Sequence, residues 1–244
     1  MRTIVFELCA ETVDACLAAQ QGGAARIELC SGLSEGGLTP SHALIREAIR
    51  RSGLPVHVLI RPRGGSYVYS TGETALMAED ILHVKSLGAA GVVLGLLRTD
   101  GSVDGAATQA LVELAQPMDV TFHRAFDSTA DLPEALERVI ETGCRRVLTS
   151  GGRPHALEGA EVLAALVVQA AGRIDIAVGG GLRLRNAASL ARLTGATHFH
   201  GSLQSQEFRR RLAVTPGTDR GRTAAIDSVD PENVRTLVER LQSA

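Results

Sequence analysis

The chain has 244 residues, 45% of them apolar, which is enough for one large core or two small ones. Its formal charge of −2 gives no general pull toward nucleic acid or an anionic membrane surface. No apolar run approaches the roughly 18 residues of a membrane span, the N-terminus reaches the charged Glu7 too early for a signal peptide, and four cysteines do not make a disulfide framework; a reducing cytoplasm is expected.

Short β-branched runs alternate with helical stretches about eight times. A strand at 3–9 precedes a helix at 12–20, a strand at 26–30 precedes a helix at 41–51, and a strand at 56–61 precedes a helix at 74–87. Strands at 91–95 and 120–124 come next, then a helix at 132–142 and strands at 146–150, 174–179 and 197–202. Thr39-Pro40 offers an N-cap followed by proline at the first helical position. Gly22, Gly53, Gly88, Gly143, Gly172 and Gly195 stand where helices should end.

Such alternation with short connections requires parallel strands and right-handed crossovers. Eight units predict a closed (β/α)8 TIM barrel forming a single domain over 1–244, since an open doubly wound sheet would leave two unpaired edges. The polar, arginine-bearing stretch 203–230 is too long for an ordinary connection. It is expected to be a lid, an oligomer contact or a disordered segment, with 234–241 as the closing helix.

In this architecture chemistry belongs at the C-terminal ends of the strands. Period-two alternation puts Glu7 with Cys9, and Glu28 with Cys30, on common strand faces. Glu7 or Glu28 is a candidate general acid or base; the competing reading pairs both with Arg61, Arg63 or Arg124 in an ion network. His123 is a candidate proton shuttle or metal ligand, beside Arg124. His57 reads as core. His198 and His200 have a spacing that can hold a metal, without a complete ligand set in view.

The glycine-rich turns Ser150-Gly151-Gly152, Gly179-Gly180-Gly181 and Gly201-Ser202 are candidate anion sites, because bare backbone N–H groups approach an anion closely. Arg63 is assigned to the same role. Cys9 and Cys30 end adjacent strands, where cross-strand Cβ atoms lie roughly 5 Å apart. Two such thiolates suit Cu(I). Cys16 and Cys144 look like packing residues.

The strings Arg26-Ile27-Glu28-Leu29-Cys30-Ser31-Gly32-Leu33-Ser34-Glu35-Gly36-Gly37 and Ile60-Arg61-Pro62-Arg63-Gly64-Gly65 resemble the CutC copper homeostasis family. So do Thr121-Phe122-His123-Arg124-Ala125-Phe126-Asp127, Val147-Leu148-Thr149-Ser150-Gly151-Gly152 and the Gly179-Gly180-Gly181 turn, over about 3–202. The resemblance implies a cytoplasmic barrel, a homo-oligomer with a dimer favoured, and Cu(I) held by Cys9 and Cys30. His200 matches the family pattern and His198 does not. The stretch 203–230 matches it poorly.

Two functions therefore stand side by side. One is Cu(I) handling through Cys9 and Cys30. The other is an isomerase, lyase or hydrolase acting on a phosphorylated or carboxylated metabolite, with Glu7, Glu28, Arg61, His123 and Arg124 as catalytic candidates. Three arginines against two glutamates favour an anion at the mouth. No nucleotide or organic cofactor, nucleic acid or membrane partner is expected.

Overall fold

The computed structural model describes residues 3–203 and 229–244. Eight parallel strands close on themselves in sequence order. They are β1 (Val5–Ala10), β2 (Arg26–Leu29), β3 (Val56–Leu59), β4 (Gly91–Leu94), β5 (Asp119–Phe122), β6 (Arg146–Thr149), β7 (Asp175–Val178) and β8 (His198–Gly201). The expected closed TIM barrel is present. Around it lie α1 (Val13–Gln21), α2 (His42–Ser52), α3 (Thr71–Ser86), α4 (Gly105–Ala115), α5 (Leu132–Glu141), α6 (Ala160–Ala170), α7 (Ala187–Thr194) and α8 (Pro231–Gln242). None of the described helices is long and apolar enough to cross a membrane.

Local chemistry starts these helices where they start. Thr12 Oγ1 accepts from Ala15 N–H at the head of α1, and Ser70 with Glu73 forms a reciprocal capping box on α3. Asp131 and Asp230 cap α5 and α8, each with a proline in the first turn. One expectation is corrected. Ser41, rather than Thr39, caps α2, because Thr39 is taken up by the β3 end, giving its N–H to Arg61 O and accepting from Arg61 N–H. Gly22, Gly53 and Gly195 occupy C-caps, whereas Gly88, Gly143 and Gly172 follow them by one residue.

Alternation along each strand sorts the core into two shells. Phe6, Leu8, Ile27, Leu29, Val58, Phe122 and Phe199 are buried in the large apolar cluster between sheet and helices. Each fully buried side chain of this size stabilises the fold by about 1.5–3 kcal/mol. The opposite face, pointing into the barrel, carries Glu7, Cys9, Glu28, His57, Arg146 and His200, with only Cys9, Cys30, Leu59 and Val93 forming a small apolar cluster there. Most TIM barrels fill that space with branched aliphatics. This one fills much of it with ionisable groups, and those groups set up the site. The predicted 203–230 segment lies, for residues 204–228, outside the described residues.

Candidate functional site

Register brings the acids and the histidine together. Glu7 on β1 stands opposite Arg26 on β2 and His200 on β8, and Cys9 stands opposite Glu28. Glu7 is fully buried and accepts a hydrogen bond from Arg146 Nη2 across the barrel. Arg26 Nε lies 3.3 Å from the same carboxylate, and His200 Nδ1 lies 2.8 Å from Glu7 Oε1. Burial alone would raise the Glu7 carboxyl, but Arg146, His200 and Arg26 outweigh it and hold it well below the ordinary range. Glu7 is therefore an ionised anchor, shut away from the cavity. Its ion partners are Arg146 and Arg26 rather than Arg61, Arg63 or Arg124.

An ionised Glu7 can only accept, so His200 Nδ1 carries the proton and Nε2 turns toward the mouth. Nε2 lies 3.9 Å from Glu28 Oε1. Burial lowers the His200 imidazole, yet Glu28, Cys9 and Glu7 together raise it well above the usual histidine value. Burial pushes the Glu28 carboxyl up, opposed in part by His200. Ligand atoms of Cys9, Glu28 and His200 all lie within 4.8 Å of one another. Cys9 Sγ is also 3.6 Å from Cys30 Sγ. The hydrogen bond shared with Cys30, then burial, pushes the Cys9 thiol well above its ordinary range.

The loop after β2 seals Cys30. Gly37 has φ +91°, and a Cβ there would stand 2.7 Å from Leu59 Cδ2 and 3.8 Å from Cys30 Sγ, so only glycine lets the backbone lie this close. Arg61 is buried and donates to the carbonyls of Glu35, Gly37 and Gly65, tying that loop to the one after β3. Its guanidinium also lies over the Tyr67 ring, whose other neighbour is the His123 ring. His123 Nδ1 accepts from Ala125 N–H. Burial, then the charge of Arg61, brings this imidazole down to about 3, which favours the neutral ring.

A cavity of about 840 Å³ opens above this floor, within the range of small-molecule sites. Cys9, Glu28 and His200 lie at one side, and Arg124, Gly180 and Gly181 are also among its lining residues. Gly201 and Ser202 reach it as well. Several expected anion ligands do not. Arg63 is held by Glu73 of the α3 capping box and by the carbonyls of Ser66 and Val68. The N–H groups of Ser150 and Gly152 already bind the Asp127 carboxylate, at 3.1 and 3.0 Å, while Gly151 N–H goes to Thr149 Oγ1. Gly179 N–H is bound to Thr149 O. The Ser150–Gly152 turn does bind an anionic group, but the chain supplies its own.

Sequence reasoning missed Arg26 and Arg146, which open their strands. Their signal was parity. Arg26 shares a strand face with Glu28, and Arg146 with Leu148, so both point inward in a closed barrel. His57 is core as expected, with its ring against Gly91, and Cys16 and Cys144 are buried.

Comparison with known proteins agrees with this layout. The CutC family model matches residues 4–205. A CutC family protein of Chromobacterium violaceum is 45% identical over 244 residues, spanning 98% of this chain and 99% of that one. Its counterpart in Porphyromonas gingivalis is 47% identical over 247 residues, spanning 97% and 98%. Among solved structures, CutC of Streptococcus agalactiae, provisionally named a copper homeostasis protein, superposes with a TM-score of 0.78 at 34% identity, over 82% of this chain and 99% of that one. The phosphoribosylanthranilate isomerase of Pyrococcus furiosus shares the fold alone, with a TM-score of 0.56 at 15% identity, over 99% and 100% of the two chains.

Proposed function

The chain belongs to the CutC family, and from that premise we propose that it serves copper homeostasis by binding Cu(I) through Cys9 and Cys30, with His200 Nε2 as a third donor. One observation carries this reading: two buried sulfurs 3.6 Å apart, that of Cys9 at the cavity wall and that of Cys30 behind it, with an imidazole beside Cys9. Soft sulfur and imidazole donors suit Cu(I) better than a hard cation. Glu7 holds Nδ1 of His200, the way a carboxylate commonly orients a ligating histidine from behind.

Charge supports the same assignment. Cu⁺ with two thiolates carries one net negative charge, while Arg26 and Arg146 against Glu7 leave one positive charge directly beneath. Binding must displace the thiol protons and the proton that the raised imidazole carries on His200 Nε2, so affinity rises with pH. Four free cysteines fit a reducing cytoplasm, where Cu(I) is the stable copper state. A homodimer completes the proposal; Leu157, Val168 and Leu193, exposed around α6 and α7, are its apolar candidates for contact.

The experiment is anaerobic Cu(I) competition against a chromophoric chelator, with Zn(II) in parallel. Cys30→Ser should weaken Cu(I) at least a hundredfold, and Glu28→Gln should change it little. The reverse pattern would reassign the site to a borderline divalent ion held by Cys9, Glu28 and His200, and would overturn Cu(I).

A further inference from the structure

Away from the thiols, the same cavity has a second set of groups that copper does not use. Gly180 and Gly181 both have positive φ, +95° and +80°, and among the described residues neither N–H has a partner. Arg124 lies directly on this bare turn, since a Cβ at Gly180 would stand 3.5 Å from its Cζ and 3.6 Å from its Nη1. The guanidinium is fixed from behind. Nε donates to Asp127 Oδ2, and Nη2 donates to Ser150 Oγ and Arg153 O. Nη1 is the edge left over, beside Gly180. A fork already immobilised in this way loses little freedom on meeting an oxyanion.

His123 supplies an independent observation. The residue is nine-tenths buried, lines the cavity, and its Nε2 has no partner among the described residues. Because Nδ1 accepts from Ala125 N–H, the neutral ring must carry its hydrogen on Nε2. The Nδ1–Cε1 edge packs against Gly95, and the unpartnered Nε2 is itself buried. A buried donor without an acceptor costs free energy unless a ligand or water supplies one. Among the described residues the charged lining comprises four arginines, Arg61, Arg124, Arg183 and Arg185, with the raised His200 imidazole, against Glu28 and Glu158, so positive charge is in excess.

We propose that this mouth binds a small phosphorylated metabolite, its phosphate monoester held by Arg124 and the Gly180–Gly181 turn and a second, uncharged oxygen accepting from His123 Nε2–H. The doubly negative phosphate suits this positive lining, and the cavity volume admits a ligand the size of a sugar phosphate. The site adjoins the thiols without sharing a ligand with them, so it is a function beyond copper.

The test is calorimetric titration of the copper-free full-length chain with ribose 5-phosphate, propyl phosphate and ribose. Ribose 5-phosphate should bind about tenfold or more tightly than either fragment. Arg124→Gln should weaken both phosphates by about tenfold or more. His123→Phe should erase the advantage of ribose 5-phosphate over propyl phosphate. Circular dichroism checks that each variant folds; Arg124 is part-exposed, so its variant keeps the test alive if His123→Phe does not fold. Failure of ribose 5-phosphate to bind at about 10 mM, or unchanged affinity in Arg124→Gln, overturns the proposal. Cu(I) affinity should be untouched by Arg124→Gln, so this reading and the copper reading fail separately.

Discussion

Replacing Glu7 with glutamine keeps its shape and removes its charge, and the structure sets how much that should cost. Glu7 is wholly buried, Arg146 is 3% exposed at its side chain, and Arg26 is 14% exposed. Neutralising the carboxylate strands two guanidinium groups in the barrel, and the amide cannot accept from all three of its former donors. Removing one member of a buried charge cluster typically costs about 3–5 kcal/mol. For a chain of this size that corresponds to a fall in Tm of roughly 6–20 °C. Urea unfolding followed by circular dichroism reads the change at constant m-value. Adding Arg146→Met should recover part of the loss, because the remaining Arg26 has some access to solvent. The sign with pH is fixed as well. The folded carboxyl lies below its ordinary value, so its contribution is complete above about 4.5 and is lost as pH falls through the folded value; the gap between wild type and variant should close in acid. A loss under about 1 kcal/mol for Glu7→Gln at pH 7 would refute the buried ion cluster.

Two further predictions follow from the same interior. Burial lowers His57 to about 4, so between pH 6.5 and 4 only the unfolded chain takes up its proton, and stability falls as pH falls. Wild type should lose about 2 kcal/mol relative to His57→Leu between pH 7 and pH 5, a difference measurement that cancels the opposing effect of the raised Glu28; parallel pH profiles for the two proteins would contradict it. At the β6 turn, Asp127→Ala should destabilise by about 2–3 kcal/mol, because several charge-assisted bonds are lost together. Added formate should restore part of that stability by occupying the emptied N–H groups, whereas equal stability in formate and chloride would argue against an internal carboxylate ligand.

What the sequence disclosed depended on how far the partners lie apart in the chain. Strand parity is a local property, so the inward pairing of Glu7 with Cys9 and of Glu28 with Cys30 could be read directly. The meeting of Cys9 with Cys30 needed only that neighbouring strands be adjacent, which the β–α alternation implies. Glu7 and Arg146 are 139 residues apart and meet across a closed barrel, a contact that no periodicity encodes. The turn errors have another cause. Glycine N–H groups do bind anions, as expected, but the short 3₁₀ turn at Arg124–Ser128 swings Asp127 under Ser150–Gly152 first. Arg63 was lost in the same way, to Glu73 ten residues on. In each case the residue type was read correctly and its nearest competitor was not.

The polar interior is explained by position rather than by stability. A buried ion cluster replaced by packed aliphatic residues is often as stable or more so. The apolar shell between strands and helices carries the fold, leaving the inside free to hold charge. What the charges accomplish is orientation. Arg146 and Arg26 keep Glu7 ionised, Glu7 fixes the proton on His200 Nδ1, and Nε2 is thereby left facing Cys9 and Glu28. In the same cavity, Asp127 and Ser150 do for Arg124 what Glu7 does for His200, immobilising one edge so that the other is presented. The two arrangements share no residue, and each spends an internal carboxylate to aim one nitrogen-bearing side chain. A replacement of either whole cluster, carboxylate and guanidinium together, with aliphatic packing should therefore lose ligand orientation before it loses the fold.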